Sequence, residues 1–148
     1  MMGYRDDGHC PMFSSGGCSI YAHRPQTCRD YDCRIFAAAG IDAGGPEKRV
    51  INERVRAWRF SYRNADMRQV HEAVRAAAAF IRDRRESFPA GRAPSSPTGI
   101  AVLAIKTHGI FLDPMSVSLT DEARARAMVQ ASRDFDAGGE GLRESNRQ

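Results

Sequence analysis

The chain has 148 residues, of which 42% are hydrophobic and 27% are charged, and its formal net charge is +4. These values are typical of one globular domain and exclude a collagen-like or largely disordered chain. The longest apolar stretches, residues 35–41 and 99–105, are shorter than the roughly 18 residues of a membrane span, so no membrane contact is expected.

Residues 1–34 predict irregular structure, because glycine and proline interrupt the segment repeatedly. Within this segment, residues 18–21 favour a short strand, since they include a β-branched and an aromatic residue. Residues 25–31 favour one or two helical turns that begin at a proline. A small apolar run at residues 35–39 follows and ends at Gly40.

Apolar residues at helical spacing predict two helices, at about residues 46–62 and 65–88, and Asn64 is a candidate N-cap of the second. Ser96 and the proline after it favour a third, buried helix that stops at Gly109. A last helix is expected over about residues 121–135, capped by Thr120 or Ser118 and ended by Gly138 and Gly139. The predicted fold is mainly α, with an irregular Cys-rich metal-binding N-terminal segment packed on a small bundle of about four helices.

All four cysteines lie in the first 33 residues, with the spacing Cys10-x7-Cys18-x9-Cys28-x4-Cys33. Met1–Cys10 is charged and lacks the apolar core of a secretion signal, so we expect a cytoplasmic protein. In a reducing compartment, clustered thiols are more often metal ligands than disulfides, although their even number leaves two disulfides as an alternative. The spacing matches neither a zinc finger nor a ferredoxin. Four thiolates nevertheless suit a site for Zn²⁺, for iron or for an iron–sulfur cluster.

The predicted metal ligands are therefore Cys10, Cys18, Cys28 and Cys33. Four polar residues close to them in sequence are candidates for supporting this site, namely His9, Arg24, Arg29 and Asp30. Arg29 directly follows Cys28, and its positive charge favours the thiolate form that a metal requires. A turn histidine and a solvated or arginine-paired carboxylate are the simpler interpretations of His9 and Asp30.

Three segments carry a resemblance to a known family: residues 8–12 (GHCPM), 17–21 (GCSIY) and 24–34 (RPQTCRDYDCR). They resemble the YkgJ-type cysteine-cluster family over about residues 3–41. The resemblance implies a zinc- or iron-chelating domain, which is described in some members as containing an iron–sulfur cluster. Some proteins similar to this family are tied to lysine methylation of flagellin, which implies a protein-modifying enzyme as an alternative function.

Members of that family usually open with a further cluster near C-x2-C-x2–3-C-C, whereas the first cysteine of this chain is Cys10. We therefore expect an N-terminally shortened member of the family, or one whose start was assigned too late. Residues 1–41 are assigned to the C-terminal half of a YkgJ-like domain, residues 46–136 to a helical region and residues 137–148 to a flexible tail. Together they are expected to form one compact unit.

The sequence contains no Walker A, GxSxG or HExxH motif, so the first hypothesis is a metal-binding protein without catalysis. An unidentified protein partner is left open. A further alternative is a basic nucleic-acid-binding module, because residues 54–63 and one face of residues 65–88 combine many arginines with aromatic residues. Acidic residues are interspersed among these arginines, so a solvated helix face is the simpler interpretation and nucleic acid is not the expected partner.

Overall fold

The computed structural model describes residues 12–14, 17–23 and 33–145. The chain divides into two units, residues 1–33 and residues 34–148, and each is described by itself. The expectation of one compact unit stays a prediction. The predicted turns at residues 25–31 lie outside the described residues.

In the first unit, the described backbone forms a small antiparallel hairpin. Strand β1 (Phe13–Ser14) pairs with strand β2 (Gly17–Cys18), and a 3-10 turn follows at Tyr21–His23. The strand predicted at residues 18–21 therefore lies one residue earlier and is shorter. Its end is set by the turn at residues 19–20, where the Ile20 carbonyl accepts a hydrogen bond of 2.9 Å from the His23 amide.

The second unit is helical, which confirms the predicted class of mainly α. Its described residues form six α-helices rather than about four: α1 (Arg34–Ala39), α2 (Arg49–Ala57), α3 (Ala65–Asp83), α4 (Pro97–Thr107), α5 (Gly109–Leu112) and α6 (Asp121–Ser145). Short 3-10 turns occur at Pro46–Lys48, Arg85–Ser87 and Pro114–Ser118. Among the described residues, no helix combines the length and apolar character needed to cross a membrane.

The helix starts agree closely with the capping signals of the sequence. The Asn64 side-chain oxygen accepts a hydrogen bond of 2.9 Å from the Met67 amide at the start of α3. The Ser96 and Thr120 hydroxyl oxygens accept similar bonds, from Gly99 at 3.1 Å and from Ala123 at 3.2 Å. These three caps confirm the predicted N-termini of α3, α4 and α6, because each supplies an acceptor to a backbone amide that has no partner within its helix.

The predicted helix ends are less accurate. Helix α2 ends at Ala57 rather than near residue 62, and α3 ends at Asp83 rather than near residue 88. The third helix does stop just before Gly109, at Thr107, but Gly109 itself begins the short helix α5 after a break at His108. Helix α6 continues through Gly138 and Gly139 to Ser145, because a glycine in a helix costs about 1 kcal/mol relative to alanine without forbidding the conformation.

Helix α4 contacts α1, α3 and α6, so it lies at the centre of the helical unit. Ile100 and Ala104 on α4 are buried, as predicted for this apolar helix, whereas Val102 is 36% exposed. The buried Thr107 hydroxyl donates a hydrogen bond of 2.8 Å to the Leu103 carbonyl oxygen, which satisfies the hydroxyl inside the core. Small side chains supply much of the buried surface of the unit, namely Ala39, Ala73, Ala77, Ala78, Ala101, Ala104 and Ala125.

Helix α1 ends in a glycine turn that reverses the direction of the chain. The Gly40 amide donates to the Ala37 carbonyl at 3.2 Å, and the Ile41 amide donates to the Phe36 carbonyl at 3.1 Å. This pair of bonds is a Schellman motif, in which the residue after the helix adopts the left-handed conformation. Gly40 has a φ of 68°. This conformation is unfavourable for a residue with a Cβ atom, whereas glycine adopts it readily.

Replacing Gly40 with alanine is expected to lower the free energy of unfolding by about 1–2 kcal/mol, because a Cβ atom is disfavoured in the left-handed conformation. The new Cβ would also lie 2.8 Å from Nε of Arg75, so that side chain would have to move. Gly109→Ala is the matched control, since no side chain or distant backbone atom lies within 4 Å of its Cβ position. This control should be neutral or slightly stabilising in urea denaturation, and equal losses in both variants would contradict the assigned turn.

Candidate functional site

The structure describes two of the four predicted metal ligands, Cys18 and Cys33. The other predicted site residues lie outside the described residues: Cys10, Cys28, His9, Arg24, Arg29 and Asp30. Within the described part of the chain, no group of three or more His, Cys, Asp or Glu side chains is placed to hold a metal ion. The predicted four-cysteine site therefore stays a prediction.

Cys18 belongs to strand β2, and its Cα is paired with that of Phe13 across the hairpin. Directly after Cys18, both the amide and the hydroxyl of Ser19 donate to the Met12 carbonyl oxygen, at 2.8 and 2.9 Å. These bonds close the hairpin one residue beyond the strand pair. The backbone that carries Cys18 is therefore held by a turn and a strand pair within its own unit.

Cys33 is the last residue of the first unit and directly precedes helix α1. Its side chain is partly exposed. Helix α1 is anchored in the core of the helical unit by Phe36, which is fully buried. Cys33 is therefore followed directly in sequence by a helix that is well packed in the core.

A separate cleft, which we call the arginine cleft, lies within the helical unit. It has a volume of about 300 Å³, and its lining includes residues 40–42, Arg56, residues 58–60, His71 and Arg75. These residues come from the turn after α1, the end of α2, the extended segment that follows it and the middle of α3. A volume near 300 Å³ is at the lower end of the range found for small-molecule sites.

Asn52 holds the turn that forms one wall of this cleft. Its side-chain oxygen accepts a hydrogen bond of 2.8 Å from the Ala43 amide, and its side-chain nitrogen donates one of 2.9 Å to the Gly44 carbonyl. Asn52 is 7% exposed, so both bonds lie largely away from water. The turn after α1 is thereby fixed to α2, and Asp42 within it is placed beside the cleft.

The three arginines of the cleft have different partners. Arg56 forms two hydrogen bonds with the Asp42 carboxylate, and this contact raises the pKa of Arg56 above its ordinary value. Arg59 donates to the carbonyl oxygens of Arg56 and Trp58, at 2.8 and 3.1 Å, at the end of α2. The Arg56 carbonyl lies in the last turn of α2, at the negative end of the helix dipole, so this bond stabilises the end of the helix.

Arg75 differs from the other two because it has no hydrogen-bond or ion-pair partner among the described residues. Its guanidinium lies directly over Gly40, where Nε is 2.8 Å and Nη2 is 3.2 Å from the position that a Cβ atom would occupy. The absence of a side chain at Gly40 is what allows this close approach. The cleft therefore contains a guanidinium whose donors are not used by any of the residues that the structure describes.

Aromatic rings form the rest of the cleft wall. Trp58 is 45% exposed and Phe60 is 38% exposed, and their ring centroids are 6.4 Å apart. Phe60 contacts the His71 ring with a centroid distance of 4.3 Å, and the Tyr62 hydroxyl is hydrogen-bonded to Nδ1 of His71. Nε2 of His71 is buried and has no hydrogen-bond partner within the described part of the chain. His71 is therefore at the edge of the core.

The arginines on the exposed face of α3 and directly after its end are largely occupied by other contacts. Arg82 donates to Asp83 at 2.7 and 3.1 Å, and this hydrogen bond holds the pKa of Asp83 below its ordinary value. Arg84 pairs with Asp121 at 2.9 Å, and the Arg68 guanidinium lies 5.4 Å from the centre of the Tyr62 ring. All four arginines, including Arg75, are exposed. Ion pairing of Arg82 and Arg84 reduces the positive charge that this face offers to a nucleic acid.

The arginine cleft was not identified from the sequence. The sequence signal is the run from Arg56 to Phe60, which contains two arginines and two aromatic residues and predicts part of a basic surface. The close approach of Arg75 to Gly40 could not be predicted from the sequence, because the two residues are distant in sequence and meet through the packing of α1 on α3.

Comparison with family models, with curated proteins and with solved structures gives no match to this chain. The interpretation of the cysteine segment and of the arginine cleft therefore depends on their own residues. The resemblance to the YkgJ-type family stays a prediction from the cysteine motif.

Proposed function

We propose that this chain is a metal-binding cysteine-cluster protein without a catalytic role, similar to the YkgJ-type family. Cys10, Cys18, Cys28 and Cys33 would hold Zn²⁺ or iron, the latter either as an ion or as an iron–sulfur cluster. The observation that carries the proposal is the confinement of all four cysteines to the first 33 residues, in the Arg-Pro and aromatic context of the motif.

The donor set fits such a metal chemically. Thiolates are soft ligands that favour zinc and iron–sulfur centres over magnesium or calcium. When bound, the metal would supply cross-links that fold a segment poor in apolar side chains. The hairpin that carries Cys18 and the start of α1 beside Cys33 give two of the four donors defined backbone positions. Arg34, next to Cys33, adds positive charge that favours a thiolate.

Metal analysis of the full chain, purified without oxygen, tests the proposal. We expect about one equivalent of metal per chain for zinc or a single iron ion, and about two or four equivalents of iron for an iron–sulfur cluster. An ultraviolet–visible spectrum of the same sample distinguishes the metals, because an iron–sulfur cluster gives a broad visible band and zinc gives none. Cys28→Ser and Cys33→Ser should each lose most of the metal, whereas Thr27→Ser, beside Cys28, should keep it.

A metal content well below about half an equivalent, with four thiols accessible to titration, would overturn the proposed site. An equally low metal content, with two disulfides found by mass spectrometry in place of free thiols, would favour the alternative pairing of the cysteines. Retention of the metal in both cysteine variants would show that other residues hold it.

Nucleic acid is less well supported as a partner. Arg82 on α3 and Arg84 directly after it are paired with aspartates of the same unit. The net charge of +4 is also small for a chain of 148 residues. No arrangement among the described residues favours the methylase-like alternative.

A further inference from the structure

We propose that the arginine cleft binds a small organic anion that carries an aromatic ring, of the size and chemistry of a nucleoside monophosphate. This inference is independent of the cysteine segment, since every residue that it uses belongs to the helical unit. It depends on three features of the cleft: an arginine without a partner among the described residues, a positive charge balance and exposed aromatic surface.

The unpartnered arginine indicates the anionic group of the ligand. Arg75 lines the cleft, and its guanidinium makes no hydrogen bond or ion pair in the described part of the chain. A guanidinium presents its donors in a planar fork that matches two oxygens of a phosphate or carboxylate. The close contact with Gly40 restricts where this fork lies, so its position is set by the turn after α1 rather than by solvent.

The charge balance of the cleft also indicates a negatively charged ligand. Asp42 is the acidic residue of the lining, and its carboxylate is already bound by Arg56. Arg59 bonds only to carbonyl oxygens in the described structure, so its full charge is not neutralised by a carboxylate. The two uncompensated charges of Arg59 and Arg75 favour an anion over a neutral or cationic molecule.

The aromatic wall indicates a ring on the ligand. Trp58 and Phe60 leave 45% and 38% of their surface exposed, and the two rings are tilted by 51°. Phe60 is supported from behind by His71, which is itself held by Tyr62. Exposed rings beside a basic groove are a common platform for stacking a nucleobase. The cleft of about 300 Å³ suits one such unit, which favours a small molecule over a polymer.

Isothermal titration of the full chain with adenosine monophosphate, adenosine and inorganic phosphate tests this inference. Adenosine monophosphate is expected to bind at least about tenfold more tightly than either of its parts. Arg75→Gln should reduce its affinity to that of adenosine, and Trp58→Ala should weaken both of the ligands that contain a base. Arg126→Gln is the matched control, because it makes the same charge change on an exposed part of α6, outside the cleft lining.

Circular dichroism and thermal melting show whether each variant is folded before titration. Equal affinities for the three probes, or equal losses in Arg75→Gln and Arg126→Gln, would overturn the inference. A single-stranded oligonucleotide that binds more tightly than adenosine monophosphate, with an affinity that falls steeply with salt, would also overturn it in favour of a polymer-binding surface. Binding of the monophosphate that is lost in Arg75→Gln, weakened in Trp58→Ala and kept in Arg126→Gln would support it.

Discussion

Replacing Phe36 with alanine is expected to lower the free energy of unfolding of the helical unit by about 3–5 kcal/mol. Phe36 is fully buried and is the largest such side chain among the described residues. It lies on α1, which contacts α2, α3 and α4, so its removal would leave a cavity at a point shared by several helices. Urea denaturation followed by circular dichroism at 222 nm measures the change as a lower midpoint.

Phe135→Ala is the matched control, since it removes the same side chain from a position that is 58% exposed. Its cost should stay below about 1 kcal/mol, because an exposed phenylalanine buries little area and leaves no cavity. Phe36→Leu should fall between the two, as leucine fills part of the space. If Phe36→Ala and Phe135→Ala destabilise equally, the placement of α1 in the core is wrong.

Replacing Asn52 with alanine is expected to lower the free energy of unfolding by about 2–4 kcal/mol, since one buried and one partly buried backbone group would lose their partners, at about 1–3 kcal/mol for a fully buried group. Those groups are the Ala43 amide and the Gly44 carbonyl. The same urea measurement gives the size of the loss. Hydrogen exchange adds a local measurement, because the Ala43 amide should exchange much faster in the variant.

Asn52→Asp keeps an acceptor for the Ala43 amide but removes the donor to the Gly44 carbonyl, so its Ala43 amide should stay more protected than in Asn52→Ala. Gln69→Ala is the control for loss of a side-chain amide, because Gln69 is exposed on α3. It should change stability by less than about 0.5 kcal/mol. An unchanged exchange rate at Ala43 in Asn52→Ala would contradict the assigned bond.

The parts of the fold that could be predicted from the sequence depend on local chemistry. The caps at Asn64, Ser96 and Thr120 were predicted because each polar side chain bonds to an amide three residues ahead. The helical class followed from apolar spacing, which the burial of Val55 and Ile81 reflects. Such signals are contained in a few neighbouring residues, so tertiary packing did not change them.

The ends of the helices depend on contacts that apolar spacing does not encode. Trp58 and Tyr62 continue the apolar spacing of α2, yet Trp58 is extended, with φ of −63° and ψ of 136°. The chain leaves the helix there because Arg59 binds the last carbonyls and because the aromatic residues turn toward α3, where Phe60 contacts His71. A tertiary contact therefore decided where α2 ends.

The two candidate sites also differ in whether local sequence or tertiary packing defines them. The cysteine site was inferred from a motif, and the two ligands whose backbone is described, Cys18 and Cys33, belong to the segment that the motif covers. The arginine cleft has no motif, because the close approach of Arg75 to Gly40 joins residues 35 positions apart. Arg75 and the turn at Gly40 form a site only because α1 packs against α3.

The buried alanines of the helical unit limit which amino-acid substitutions this protein can tolerate during evolution. Any single-nucleotide change that replaces an alanine codon introduces Val, Thr, Ser, Pro, Gly, Asp or Glu. At Ala77, Ala101 or Ala104, all of which have no exposed surface, these residues add volume, bury a polar group or weaken the helix. The helices can approach closely because these side chains are small, and for the same reason few point mutations at their contacts are silent.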